Sequence, residues 1–347
     1  MRTYAWPGTA FVAMAGLAMM SCGGSTTGGG AGQKLQGAGA SFPAPIYSKW
    51  FKSYSESHPG VQIDYQSVGS GSGIKSFIDK TVDFGASDAA MTPEEIGRVD
   101  PALGVQLLPM TAGSIVITYN LPDVKELKLS RKAYSDIFLG TVKKWNDPLI
   151  AKANPGVKLP DSPINVVVRA DSSGTTFVFT QHLSAISPDF AKGPGASKMP
   201  NWPVGTRSKG NEGVTASVKT TPGSIGYIEY GYAMSQSMPM AILENKSGEF
   251  VAPTTASGQA ALASAQLPEN LIAWVSDPAP KDAYPIATYT WLLVNKKYPK
   301  DKLAVLQDLL KYCLGDGQKL AEPLGYIPLP ASVVEKDLAA VNTLQPS

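Results

Sequence analysis

Residues Ile164 to Thr175 read INVVVRADSSGT. The stretch Ile164 to Ala170 is a short β-branched apolar run and predicts a buried strand. From Thr175 onward the pattern turns helical, with Phe177, Val178 and Leu183 on the inner face. The join between them, Asp171-Ser172-Ser173-Gly174-Thr175, consists almost entirely of small or hydroxylated residues. A strand feeding a helix through a short turn is the repeating unit of an α/β fold. The first turn of any helix leaves backbone N–H groups unpaired, and the helix dipole places partial positive charge there. Small residues let an anion approach those N–H groups closely, and hydroxyls add further donors.

The same chemistry recurs twice upstream, at Gly37-Ala38-Gly39-Ala40-Ser41-Phe42 and at Gly69-Ser70-Gly71. A single such turn is explained by ordinary helix capping. Three of them in one chain argue for an anion. The second turn continues as Gly69 to Ser76, GSGSGIKS, which resembles a nucleotide-binding loop. That loop needs Gly and Lys adjacent so that the lysine reaches the terminal phosphates. Here Ile74 separates Gly73 from Lys75 and turns the lysine away around the helix. The turn suits phosphate but not a nucleotide.

The chain around these turns has 347 residues, 43% hydrophobic and 17% charged, with a formal net charge of +2. So balanced a charge does not imply a nucleic-acid-binding surface, and no Lys/Arg cluster contradicts this. Arg2 precedes the apolar run Ala10 to Met20 and then Ser21-Cys22-Gly23-Gly24, the form of a secretory signal. The run is too short to span a bilayer. A cysteine after the small Ser21 resembles the bacterial lipobox, in which that cysteine carries lipid and becomes the mature N-terminus. The alternative is a plain signal cut near Ser21. The Gly- and Thr-rich segment that follows favours a tether between membrane and folded body. The expected division is 1–22 lipoprotein signal peptide and 23–34 flexible tether. The second cysteine, Cys313, shares a helical face with Leu306, Leu309 and Leu310 and is expected in the core.

Beyond the tether, helical and extended patterns alternate. Tyr47, Trp50, Phe51 and Tyr54 fall on one helical face, and Val61, Ile63 and Tyr65 alternate as in a strand. Ser114–Tyr119, Ser224–Tyr230 and Ile286–Val294 predict further strands, while the segments near Pro155–Pro163 and Pro194–Pro203 predict surface loops. Two charged residues join the anion-friendly turns. Arg169 closes a strand where its guanidinium could hold two oxygens in a fork, with Asp171 able to fix it. Asp88 ends the extended stretch Val82 to Asp88, and a carboxylate beside an anion makes sense if the ligand carries a proton, because a carboxylate only accepts hydrogen bonds. Phosphate near neutral pH keeps a proton and sulfate keeps none, so Asp88 would repel sulfate. A helix cap or surface ion pair is the other reading of Asp88.

The stretches GAGASFPAPIYSKW, TVDFGASDAAM, FLGTVKKWNDP, VVVRADSSGTTFVF, GSIGYIEYGYA and GYIPLPASVV together resemble the phosphate-binding proteins of bacterial phosphate ABC importers, over nearly all of the mature chain. The resemblance implies an α/β, two-lobed periplasmic binding protein-like fold (type II) with the ligand cleft between the lobes. It implies binding without chemistry, and delivery of phosphate to the membrane permease subunits of an importer with its ATPase. Carried over by position, Ser41 and Phe42 would supply a hydroxyl and an N–H. Ser70 would do the same, Asp88 would accept the phosphate proton, and Arg169 would bring its guanidinium, oriented by Asp171. Ser173, Gly174 and Thr175 would cap the third helix. Lobe I is expected from 35–112 and 286–347, lobe II from 113–285, with hinges near Thr111–Ser114 and Tyr284–Tyr289. The chain departs from the family at Gly205 to Asn211, where members carry two glycines at Arg207 and Ser208. This departure is expected to add positive charge near the cleft mouth without touching the ligand residues. No cofactor, metal or nucleic acid is implied, and the protein is expected to be monomeric, membrane-attached through Cys22.

Two rival functions compete with this one. An exported phosphatase would need a base for its serine. The only histidines, His58 and His182, read as solvated or capping residues, and no Asp/His cluster has the spacing of a metal pair. A binder of another oxyanion is the second rival: Asp88 argues against sulfate and molybdate, while arsenate carries the same proton as phosphate.

Overall fold

The computed structural model describes residues 33–347. The signal-type segment, Cys22 and the tether up to Gly32 lie outside the described residues. The first strand starts at Gln33, so the last two residues assigned to the tether belong to the folded body.

Eight strands form one sheet: β1 (Gln33–Gly39), β2 (Val61–Ser67), β3 (Phe84–Ser87), β4 (Gln106–Tyr119), β5 (Asn165–Arg169), β6 (Thr206–Ser208), β7 (Ser224–Glu229) and β8 (Ala287–Val294). Their order is β2-β1-β3-β8-β4-β7-β5-β6. β1, β2 and β3 run parallel, as do β7, β5 and β6, whereas β8 lies antiparallel to both β3 and β4. Four parallel strands each feed a helix: β1 leads to α1 (Ala44–Ser57), β2 to α2 (Ser70–Ile78), β5 to α3 (Gly174–Ile186) and β6 to α4 (Gly210–Thr220). Two helices near the C-terminus, α5 (Lys300–Leu314) and α6 (Ala331–Asn342), return to the first half of the molecule.

The long β4 strand joins the halves. Its residues up to Ser114 pair with β8, and from Ile115 onward it pairs with β7. The Ile115 N–H donates to the Ile286 carbonyl at 2.9 Å, tying the two connecting chains together where they cross. The sequence predicted only Ser114–Tyr119 of this strand. Pro109 is tolerated because the pairing with β8 shifts register between Thr290 and Trp291, opposite the proline. A residue with no N–H to donate sits at an irregularity of that kind.

Local signals elsewhere hold. The predicted aromatic face of α1 buries Tyr47, Trp50, Phe51 and Tyr54 together with Ile46, and the helix ends at His58. Thr92 makes a capping box with Glu95. Cys313 is 1% exposed among leucines of α5, and burial pushes its thiol up. The Pro194–Pro203 segment is not merely a surface loop. Its Trp202 is buried against Phe138, Phe190 and Tyr227, because the apolar indole finds aromatic partners from other elements, Tyr227 of β7 among them.

Candidate anion-binding site

The starts of α1, α2, α3 and α4 converge from both sides of the join. Ser70 Oγ, on the first residue of α2, accepts the Gly174 N–H of α3 at 2.9 Å and lies 3.3 Å from the Asp88 amide. Thr175 donates its hydroxyl to Asp88 Oδ2 at 3.1 Å, and Thr290 donates to Oδ1 at 3.0 Å. Asn211, in the first turn of α4, reaches Ser41 Oγ through both its backbone N–H at 3.0 Å and its Nδ2 at 2.9 Å. The same Nδ2 lies 3.3 Å from Thr175 Oγ1. Ser41, Ser70, Asp88, Gly174 and Thr175 therefore form one continuous hydrogen-bonded cluster, and all are buried.

Arg169 arrives from the end of β5 with its side chain 1% exposed. Its Nε donates to Asp171 Oδ1 at 2.9 Å and its Nη2 to Oδ2 at 2.6 Å. The Gly210 N–H also donates to Asp171 Oδ1, at 3.0 Å. This fixes the guanidinium plane, and Nη1 is left buried with no protein partner. Gly69 is required beside it: its φ is +92°, and a Cβ there would stand 2.3 Å from Asp171 Oδ2. Burial alone would raise the Asp171 carboxyl, but the hydrogen bonds and charge of Arg169, with the Gly210 N–H, hold it below the usual range.

Asp88 sits differently. Burial pushes its carboxyl up to about 7, against the hydrogen bond from Thr290, the Arg169 charge and the bonds from Thr175. A carboxyl poised there can accept or share a proton near neutral pH.

The remaining expected residues have partly divided roles. The Phe42 carbonyl accepts the Tyr326 hydroxyl at 2.6 Å, which holds the turn before α1 in place. Ser173 is the N-cap of α3, its Oγ accepting the Thr176 N–H at 3.0 Å. Its own N–H is taken by the Lys198 carbonyl at 2.9 Å, so only the hydroxyl hydrogen of Ser173 is left to donate.

Sequence reading missed Asn211 and Thr290. Gly205 to Asn211 was expected not to touch the ligand residues. Instead Gly210 bonds Asp171 and Asn211 bonds Ser41 and Thr175, because Thr206–Ser208 forms a strand beside β5 and delivers a fourth helix start. The signal was present: a short strand, a glycine at φ +70° and a helix repeat the chemistry of the other three turns. Arg207 itself is exposed, as expected. Thr290 was visible only as a hydroxyl within an apolar strand.

Both histidines lie outside the cluster. His58 stacks on Tyr54 at the end of α1, with ring centroids 4.0 Å apart. His182 is not solvated, contrary to expectation. It is fully buried, with Nε2 2.9 Å from the Tyr134 hydroxyl and Nδ1 2.7 Å from the Ser276 carbonyl, and burial lowers it to about 4. The helical flank it occupies faces the segment before β8, which sequence periodicity does not reveal. Among the described residues no group of His, Cys, Asp and Glu could hold a metal ion.

A family model described as a PBP superfamily domain matches residues 24–316. The phosphate-binding protein PstS of Pasteurella multocida is 42% identical, over 90% of this chain and 90% of its own. That of Haemophilus influenzae is 41% identical, over 86% of this chain and 90% of its own. The chain belongs to the PstS family of phosphate-binding proteins. Among solved structures, a phosphate-binding protein from Stenotrophomonas maltophilia superposes with a TM-score of 0.72 at 21% identity, covering 88% of this chain and 93% of that one. A putative phosphate transporter substrate-binding protein from Clostridium perfringens, with bound phosphate, gives 0.65 at 16% identity, covering 86% and 100%. The PstS-family chain thus has the two-lobed periplasmic-binding-protein fold, with the cluster of Ser41, Ser70, Asp88, Thr175 and Asn211 lying where the lobes meet.

Proposed function

We propose that this protein binds inorganic phosphate outside the cytoplasmic membrane and delivers it to the permease subunits of a phosphate ABC importer. The observation that carries the reading is the pairing of two unlike groups at one buried place. Arg169 offers an unpartnered guanidinium nitrogen, and Asp88 offers a carboxylate in the same charge field. A cation with free donors requires an anion, and a carboxylate beside it requires that the anion bring a proton. Monohydrogen phosphate meets both conditions; sulfate meets only the first.

In this reading Ser41, Phe42, Ser70, Ser173, Gly174 and Thr175 line the anion site at three helix starts, the Gly174 N–H and the Thr175 hydroxyl exchanging their present partners Ser70 and Asp88 for the anion, and Asp171 keeps Arg169 in its plane. The chain crossings near Thr111–Ser114 and Tyr284–Tyr289 serve as hinges that let the lobes open. A dry, closed site strengthens each hydrogen bond to the anion. The protein acts as a monomer anchored by lipid at Cys22, and binds without catalysis, since neither histidine bonds any residue of the cluster. Titration calorimetry of the body from residue 33 with phosphate and sulfate, at pH 6 and pH 8, tests the reading. Micromolar or tighter phosphate binding, about −8 kcal/mol, with sulfate at least 100-fold weaker, is expected. Millimolar phosphate binding, or equal affinity for the two anions, would overturn it.

A further inference from the structure

We infer that Asn211 is a positioning residue that makes the Ser41 hydroxyl an obligatory donor. The inference rests on the phosphate reading and adds to it a residue outside the expected ligand set. A serine hydroxyl has one hydrogen to give and two lone pairs to receive with. Both lone pairs of Ser41 Oγ are occupied by Asn211, one by its backbone N–H at 3.0 Å and one by Nδ2 at 2.9 Å. The only capacity left on Ser41 is its hydrogen, and that hydrogen can satisfy only an acceptor.

The orientation of the Asn211 amide follows from its surroundings. Its Oδ1 accepts the Glu229 N–H at 2.9 Å, so Nδ2 must be the atom that faces Ser41 and Thr175. Glu229 is in turn held in place, its carboxylate accepting the Gly231 N–H at 2.8 Å and the Tyr232 N–H at 3.3 Å. Asn211 is fully buried, so no water competes for these bonds. The second Nδ2 contact occupies one lone pair of Thr175 Oγ1, whose hydrogen goes to Asp88 Oδ2 at 3.1 Å. One amide from the α4 start therefore fixes the direction of the Ser41 hydroxyl and also contacts that of Thr175. It biases the cluster toward a ligand that accepts, and it can do so only when α4 and the turn before α1 have come together.

Three measurements separate this from a merely structural role. Phosphate affinity is measured by calorimetry for the wild type, S41A, N211A and S41A/N211A, with thermal melts of each in the absence of phosphate. Asn211→Ala should weaken binding about 10-fold when Ser41 is present and less than 2-fold when it is already alanine, a coupling of the size measured for residues sharing one network. Asn211→Asp, nearly isosteric but unable to donate from its side chain, should weaken binding by about 100-fold because it reclaims the Ser41 hydrogen and adds a like charge. Additive losses in the cycle, or an N211D protein that binds like wild type, would overturn the inference while leaving phosphate binding intact. A wild type that binds no phosphate would instead overturn the functional reading and this inference with it. Should N211A fail to melt cooperatively, Asn211→Ser in the same cycle retains a small polar side chain, and coupling to Ser41 or its absence decides the matter in the same way.

Discussion

The Thr175 hydroxyl donates to the Asp88 carboxylate across 3.1 Å, joining the first turn of α3 to the residue that follows β3. These two residues are far apart in the chain and come from opposite sides of β4. Their contact, with that of Ser70 Oγ and the Gly174 N–H, ties the two halves of the sheet together. The contacts that join the halves are thus made by residues of the candidate anion-binding cluster.

Asp88→Asn removes the acceptor that a bare oxyanion repels. Phosphate affinity should fall, and the phosphate-to-sulfate ratio should collapse by about 10-fold or more, since the amide can turn its N–H₂ toward either anion. Competition calorimetry reads the ratio directly; an unchanged ratio would mean that Asp88 does not set selectivity.

Gly174 has no room for a side chain when the lobes meet. A Cβ there would lie 2.5 Å from Ser70 Oγ and 2.8 Å from both the Ala89 amide and the Asp88 Cβ. All three come from the other side of β4, so in the proposed two-lobe division Gly174→Ala should spare the fold of each lobe and block their approach. The expected outcome is a loss of phosphate affinity of at least 10-fold with little change in unliganded melting temperature. Small-angle scattering with saturating phosphate should show a less compact particle than wild type.

Arg169→Lys keeps the charge but not the fork. The bidentate contact with Asp171 cannot be made by an ammonium while it also reaches the anion. Phosphate binding should weaken about 100-fold, mostly through faster release. Stopped-flow measurement of dissociation would check this, and a wild-type release rate would contradict it.

Stability without ligand should fall as pH rises. Burial holds Asp88 at about 7 and Asp337 at about 9, and raises Glu229 well above its ordinary value. In each case the folded protein keeps a proton that the unfolded chain has already released, so between about pH 4 and the folded value stability declines with each pH unit. One such group contributes a slope of about 1.4 kcal/mol per unit. His182, lowered to about 4, acts in the opposite sense only below its unfolded value near 6.5. Urea denaturation from pH 7 to pH 9 should therefore show decreasing stability. Asp337, on α6 with both carboxyl oxygens buried and unpartnered, is the cleanest probe. Asp337→Asn should flatten the slope by about one proton and raise stability at pH 8; an unchanged slope would show that Asp337 ionises freely.

Most of the elements and much of the site could be read from the chain because their causes are local. The aromatic face of α1, the Thr92 capping box, the β-branched run of β5 and the small polar turns each carry their own physics within a dozen residues. The strand boundary at Pro109 and the burial of Trp202 and His182 could not be read, since each depends on a partner distant in sequence. Sequence alone established an anion-friendly turn three times over, the Arg169–Asp171 pair and the puzzle of a carboxylate at Asp88. Tertiary structure alone decided that four helix starts meet, that Asn211 and Thr290 belong among them, and that Arg169 keeps one nitrogen unpaired. Hydrogen-bond donors are a property of residues, but whether they converge is a property of the space between two lobes, and that space is set by long-range pairing along β4.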